Sequence, residues 1–183
     1  MQHTFPVQIR DATSDDYGGI RNVQRRTWLA TYPNAALGIT TADVEAVFDD
    51  TTAEAQQRRE ERRRAINATP LAHLWVAEND AGIVGMCLAR KHDQHHHVQA
   101  LYVLPAYQGQ GIGKRLLQAA LDWLGAQPIT LHVAAYNDNA IAFYQKMGFV
   151  LGPAPAESEL ARLPSGAVIP EREMVRNSPV PEG

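Results

Sequence analysis

The run Tyr107-Gln108-Gly109-Gln110-Gly111-Ile112-Gly113-Lys114-Arg115 constrains this chain more than any other. An apolar stretch from Val98 to Leu104 leads into three alternate glycines, and a strongly amphipathic helix opens directly behind them. A helix begins with backbone N–H groups that lack internal acceptors, and Ser, Thr, Asp or Asn normally caps them. None of those residues stands between Tyr107 and Leu117. The first turn instead carries Lys114 and Arg115, which oppose the helix dipole by about 0.3–1 kcal/mol per charge. A missing cap and two misplaced cations are reconciled by a bound phosphate, which accepts charge-assisted hydrogen bonds of about 1.5–3 kcal/mol each. The alternative is a glycine turn whose amides are hydrated.

Bulk composition limits what surrounds this cradle. With 183 residues, 45% hydrophobic and 20% charged, the chain suffices for one domain with a substantial core, expected over 1–176, followed by a flexible tail at 177–183. A formal charge of -3 gives no global field to recruit nucleic acid or anionic membrane, so a phosphate site must be local. The single cysteine, Cys87, excludes an internal disulfide and reads as core filler in a reducing compartment. The amino terminus lacks the apolar core of a signal peptide and no run reaches membrane-spanning length, so a soluble, cytoplasmic protein is expected.

Hydrophobic periodicity gives the order of elements. Val7 to Ala12 alternates as a first strand. Ser14-Asp15-Asp16 reads as the cap of a helix carrying Ile20, Val23, Trp28 and Leu29 and ended by Pro33. A short helix runs from Thr40 through Phe48 and another from Thr51 to Asn67, whose interleaved RREERRR is a solvated face. Leu74–Ala77, Ile83–Ala89 and His97–Leu104 then form a three-strand antiparallel meander. The helix 111–126 places Ile112, Leu116, Ala120 and Leu124 on one face. It crosses over to a strand 129–135 parallel to the one ending at Leu104. A helix from Asn137 to Met147 is closed by Gly148, and a strand opens at Phe149. A proline-bearing loop spans 152–166, and Ala167 to Arg176 forms the last strand.

Two phosphate motifs fail against the cradle. A P-loop needs Gly where Gln108 stands and Ser or Thr where Arg115 stands, and the dinucleotide fingerprint needs Gly at Lys114. The order Gln108, two residues, Gly111, one residue, Gly113 instead resembles the signature of the GNAT acyltransferase superfamily. Leu101-Tyr102-Val103-Leu104-Pro105 before it and Asn137 to Phe149 after it resemble the family too. The resemblance spans roughly residues 7 to 176 and is sharp from about Leu74 to Leu151.

That resemblance implies an α/β fold with a mixed sheet: an antiparallel N-terminal meander and a parallel central pair splayed to admit pantetheine, flanked by helices. It implies acetyl-CoA as donor, with Leu101, Tyr102 and Val103 alongside pantetheine and the Val103 N–H as oxyanion donor. Gln108, Gly109, Gln110, Gly111, Ile112, Gly113 and Lys114, with Arg115, would hold the pyrophosphate, and Asn137 would contact the cofactor. Tyr144 would protonate the departing thiolate, although packing beside Phe143 also accounts for it. His97 occupies a position where relatives carry a glutamate base, and strand alternation puts His95, His97, Gln99, Leu101 and Val103 on one face; a wet hairpin end also accounts for the histidines. No metal is expected, since no Cys or Glu stands near His95 and His97. Trp28 and Tyr32 share a helical face where family members shape the acceptor pocket, although a plain core or lid contact also accounts for them. The implied reaction is N-acetylation of a small-molecule or peptide amine, a small cationic amine being favoured. The rival is a catalytically silent acyl-CoA sensor. The proline-bearing C-terminal loop is the candidate contact for a homodimer.

Overall fold

The computed structural model describes residues 6–153 and 161–177. Most of the tail expected to fray and the middle of the proline-bearing loop lie outside the described residues. The strands are β1 (Gln8–Asp11), β2 (Ala72–Asn79), β3 (Gly82–Arg90), β4 (His96–Val103), β5 (Ile129–Ala134), β6 (Val150–Leu151), β7 (Ala161–Arg162), β8 (Val168–Ile169) and β9 (Glu171–Arg176). The helices are α1 (Tyr17–Thr31), α2 (Thr41–Asp49), α3 (Ala53–Arg64), α4 (Ile112–Leu124) and α5 (Asp138–Lys146). Seven strands form one sheet in the order β1-β2-β3-β4-β5-β9-β6. Its neighbours are antiparallel except β4 and β5, as the helical crossover requires.

Local chemistry sets the helix starts. Ser14–Asp16 form a 3-10 turn rather than a cap. The capping duty falls to Asp16, whose carboxylate takes the Thr13 N–H at 2.8 Å and both Arg10 Nη atoms at 2.7 and 2.8 Å. The Arg10 hydrogen bonds hold the Asp16 carboxyl down to about 2. At α2, Thr40 and Asp43 form a reciprocal capping box. Helix α3 is shorter than its charge pattern suggests, because Asn67 turns to φ 53. Its side chain accepts from Leu74 N–H at 2.8 Å and donates to the Ala12 carbonyl at 2.9 Å, pinning the chain to the sheet edge.

Helix α4 buries Ile112, Leu116, Leu117, Ala120, Leu121 and Leu124 against one face of the sheet. At about 1.5–3 kcal/mol for each large side chain, this stripe fixes α4, and hence the glycines before it, to the meander. Helix α1 covers the opposite face, with Gly19 against Ile83. Helix α5 lies beside α4, so that Phe143 reaches Gly113. The expected last strand is two strands. Val168–Ile169 pairs with Ala161–Arg162 in a separate ribbon, and only Glu171–Arg176 joins the main sheet. Pro170 makes the break: it has no N–H to give, while its carbonyl accepts from Ala135 at 2.8 Å. Leu163 and Ile169 from the ribbon form a second core cluster with Ile39, Val44 and Ala134. No described helix is long and apolar enough to cross a membrane.

Candidate active site

Strands β4 and β5 pair only at His96↔Ile129 and His97↔Thr130, although both continue well beyond. From Val98 onward they part, leaving facing strand edges open inside the sheet. The Leu104 N–H bonds the Val84 carbonyl on β3. Since successive amides of a strand point to opposite sides, Tyr102 also addresses β3, while Leu101 and Val103 address the gap. The Val103 carbonyl takes the Gln108 side-chain amide at 2.9 Å.

The glycine turn lies directly above this gap. Gly109 and Gly111 adopt φ of 75° and 80°, with open space where a Cβ would stand. Gly111 is the N-cap of α4 and no side chain caps the helix. Arg115 N–H already bonds the Gly111 carbonyl, so the amides of Ile112, Gly113 and Lys114 are the unpaired first-turn donors. Lys114 is exposed beside them. Arg115, expected at the cradle, turns away: its Nη1 donates to the Val7 carbonyl at 2.8 Å, tying α4 to the chain ahead of β1.

Tyr144 on α5 is buried, with Phe143 and Phe149 ring centroids 5.2 and 5.8 Å away. Burial, reinforced by Cys87 and Tyr102 nearby, raises its phenol well above the usual range and keeps it protonated at neutral pH. Burial likewise pushes the Cys87 thiol up to about 12, which leaves it inert. Asn137 is the N-cap of α5; its Oδ1 takes the Ala140 N–H at 3.1 Å, so its Nδ2 is the donor it has left to offer.

The α1 side of the gap differs from the expectation drawn from strand alternation. Ala89 pairs with Val98 and Leu88 with Ala100, so Gln99 is an extra residue and a β-bulge. Past the bulge the alternation inverts. Leu101 and Val103 pair with Cys87 and Gly85 on the α4 face, whereas His97 pairs with Arg90 on the α1 face. His95 precedes β4 and is exposed. Six residues of strand at about 3.3 Å each also put His97 roughly 20 Å along β4 from Val103, at the closed end of the gap. Burial, with His132 next in effect, pushes the His97 imidazole down to about 4 instead of leaving it near neutrality. Its Nδ1 meets Thr130 Oγ1 at 3.0 Å.

Residues that sequence reasoning missed gather beside it. The His132 ring lies 5.5 Å from that of His97, and its nitrogens are each 3.8 Å from a carboxylate, Nδ1 from Glu171 and Nε2 from Glu173. Two residues past Thr130, His132 stands about level with Ala100 across the gap. Trp28 and Tyr32 line the same side with centroids 4.9 Å apart, and Tyr136 Oη donates to the Tyr32 carbonyl at 2.8 Å. Burial, then Tyr102, raises the Tyr32 phenol, and burial raises that of Tyr102; Glu171 adds to both shifts. The alternating Thr130-Leu131-His132 and Glu171-Arg172-Glu173 carried a face signal, but nothing local said that β9 would insert beside β5. Among the described residues no group of three His, Cys, Asp or Glu side chains is placed to hold a metal ion.

Comparison with known proteins points one way. The family described as "Acetyltransferase (GNAT) family" matches residues 40–149, more than half of the chain. The N-alpha-acetyltransferase RimI of Mycobacterium tuberculosis is 37% identical over 86 residues, covering 45% of this chain and 54% of that protein. The peptidyl-lysine N-acetyltransferase YjaB of Escherichia coli (strain K12) is 34% identical over 108 residues, 58% of this chain and 67% of that one. The chain spans about half the length of the first curated relatives it matches. In fold, it resembles the PaiA N-acetyltransferase from Thermoplasma acidophilum solved with coenzyme A. The TM-score is 0.71 at 20% identity, over 94% of this chain and 99% of that one.

Proposed function

Because this chain belongs to the acetyltransferase (GNAT) family, we propose that it binds acetyl-CoA and transfers the acetyl group to a primary amine by direct attack within a ternary complex. The observation that carries this reading is the parting of β4 from β5 immediately below a helix start that no side chain caps. Free strand edges suit the amides of pantetheine, and unpaired helix amides suit a pyrophosphate. The amides of residues 109 to 114, Lys114 and the Nδ2 of Asn137 are the holding groups. Leu101, Tyr102 and Val103 form the strand against which the pantetheine arm lies. The names of these relatives specify N-alpha and peptidyl-lysine acetylation, which supports a primary amine as acceptor.

The register refines the roles. A donor at Val103 and a base at His97 exclude one another, being roughly 20 Å apart along one strand. Leu101 N–H, deeper in the gap, is the better donor to the thioester carbonyl, and Val103 pairs the arm nearer the cradle. Removing such a donor typically costs about 3–4 kcal/mol of barrier. His132, level with Ala100 and on the acceptor side, is the better proton acceptor for the incoming amine. As the amine nitrogen bonds the carbonyl carbon and the C–S bond breaks, Tyr144 gives its proton to the departing thiolate. A silent acyl-CoA sensor is not favoured, since such a module needs neither a protonated phenol on one side of the gap nor an imidazole on the other.

The test is thiol release from acetyl-CoA across a panel of amines, with wild type and Tyr144→Phe. Turnover falls at least about 100-fold in the variant, with acetyl-CoA affinity held within twofold. Equal turnover removes Tyr144 from the mechanism, and silence with every amine favours the sensor.

A further inference from the structure

On the acceptor side, the antiparallel register places Glu171 opposite Ala134 and Glu173 opposite His132, so both glutamates share a face with Thr130 and His132. Their side chains are only 19% and 28% exposed. Carboxylates this far from water normally face an arginine or lysine. Among the described residues neither has one; His132 alone stands near them, at 3.8 Å from each. The remaining segments, 1–5, 154–160 and 178–183, contain no Lys or Arg that could supply it. Burial raises the Glu171 carboxyl, as expected of an acid whose desolvation is not balanced by a cation.

The surroundings are aromatic rather than charged. The buried phenols of Tyr32 and Tyr102 both feel Glu171, and the Trp28 ring stands edge-on to Tyr32. Trp28 Nε1 is buried beside the Tyr102 hydroxyl, which also meets that of Tyr32, so the three rings form one connected aromatic wall. Aromatic faces beside a carboxylate are the usual environment for an organic cation. These side chains adjoin the gap at the level of Ala100 to Tyr102, next to where the acetyl group would be presented.

We propose that Glu171, seconded by Glu173, selects acceptors that carry a second positive charge a few bonds from the amine that is acetylated. This rests on the acetyl-transfer reading and names its substrate class: a diamine, or a peptide amine followed by a basic side chain. Glu171 is a specificity-determining residue; it holds the distal cation while the near amine faces His132.

Two measurements test it, using the full chain. The first compares kcat/KM for an unbranched α,ω-diamine, the monoamine of equal length, and tripeptides whose second residue is lysine, alanine or glutamate. At least one dicationic acceptor exceeds its monocationic partner by tenfold or more, through KM, and Glu171→Gln reduces that ratio below threefold. The diamine and peptide arms separate the two sources of the same chemistry. A ratio near one in both arms, or a ratio that Glu171→Gln leaves intact, overturns the proposal. The second is calorimetry of the diamine against the coenzyme A complex, where turnover plays no part. Binding that weakens tenfold or more in both Glu171→Gln and Glu173→Gln upholds the cation site even if no amine is acetylated, a result that would sink the transfer reading alone. Absence of diamine binding to the wild type, or binding to both variants as tight as to the wild type, removes the site.

Discussion

Replacing Gly111 by alanine separates what the fold needs from what the ligand needs. At φ 80° the residue is in the left-handed region, where a side chain costs roughly 1–2 kcal/mol. For a chain of this size that lowers Tm by about 2–8 °C. No heavy atom lies within 4 Å of the added Cβ, so nothing in the protein itself is displaced. The methyl instead projects into the open side of the turn, where phosphate oxygens would approach the amides of Ile112 and Gly113. Loss of one charge-assisted hydrogen bond, at about 1.5–3 kcal/mol, weakens coenzyme A by roughly 10–150-fold. Gly113 is the internal control. Its added Cβ would meet Phe143 Cζ at 3.7 Å and Val103 Cγ2 at 3.8 Å, ordinary contacts, and its backbone is helical. Gly113→Ala should hold or raise Tm, by up to about 1 kcal/mol of helix propensity. The assay is calorimetry of each variant with coenzyme A and with pantetheine, which lacks the phosphates, beside a thermal melt. Gly111→Ala should lose coenzyme A affinity and keep that for pantetheine. Unchanged coenzyme A affinity despite a lowered Tm, or equal losses for both ligands, would refute the cradle.

The two basic residues after the turn should behave differently. Lys114→Ala weakens coenzyme A several-fold, and the deficit shrinks with added salt because the side chain is exposed. Arg115→Ala leaves affinity within about twofold and lowers Tm by a few degrees, since its guanidinium serves Val7; a reversed pattern in calorimetry would contradict the orientation seen. His97 makes folding acid-sensitive. Its folded value of about 4 lies below the ordinary 6.5, so its contribution is complete above that value and is lost as pH falls through the interval to 4. Discounted for partial solvent access, the loss is about 2 kcal/mol. Denaturant titrations at pH 7 and pH 4.5 should show a smaller decline for His97→Gln, and parallel declines would reject the burial argument.

The parts legible in the sequence are those set by local chemistry. The uncapped start of α4 declared itself through what Tyr107 to Leu117 lacks, and the meander through period-two alternation from Leu74 to Val103. Parallel pairing after a helical crossover followed from chain geometry, and the two observed pairs at 96–97 and 129–130 agree with it. The bulge at Gln99 was hidden because no glycine marks it, and it reverses the face of His97 relative to Val103. Pro170 stands within an otherwise continuous pattern, so the ribbon and the final strand read as one. His132, Glu171 and Glu173 were invisible as a group because they meet only when β9 inserts between β5 and β6, a contact across some forty residues. The orientation of Arg115 depends on Val7, more than a hundred residues away, and no local signal encodes it.

Residue-resolved amide exchange with and without acetyl-CoA shows directly whether the open edge of β4 and the uncapped start of α4 grip one ligand together. Slowed exchange is expected at Leu101 and Val103 and at Ile112, Gly113 and Lys114, with little change at Tyr102 and Leu104, whose amides already face β3. Protection confined to other segments, or no protection at saturating ligand, would contradict it.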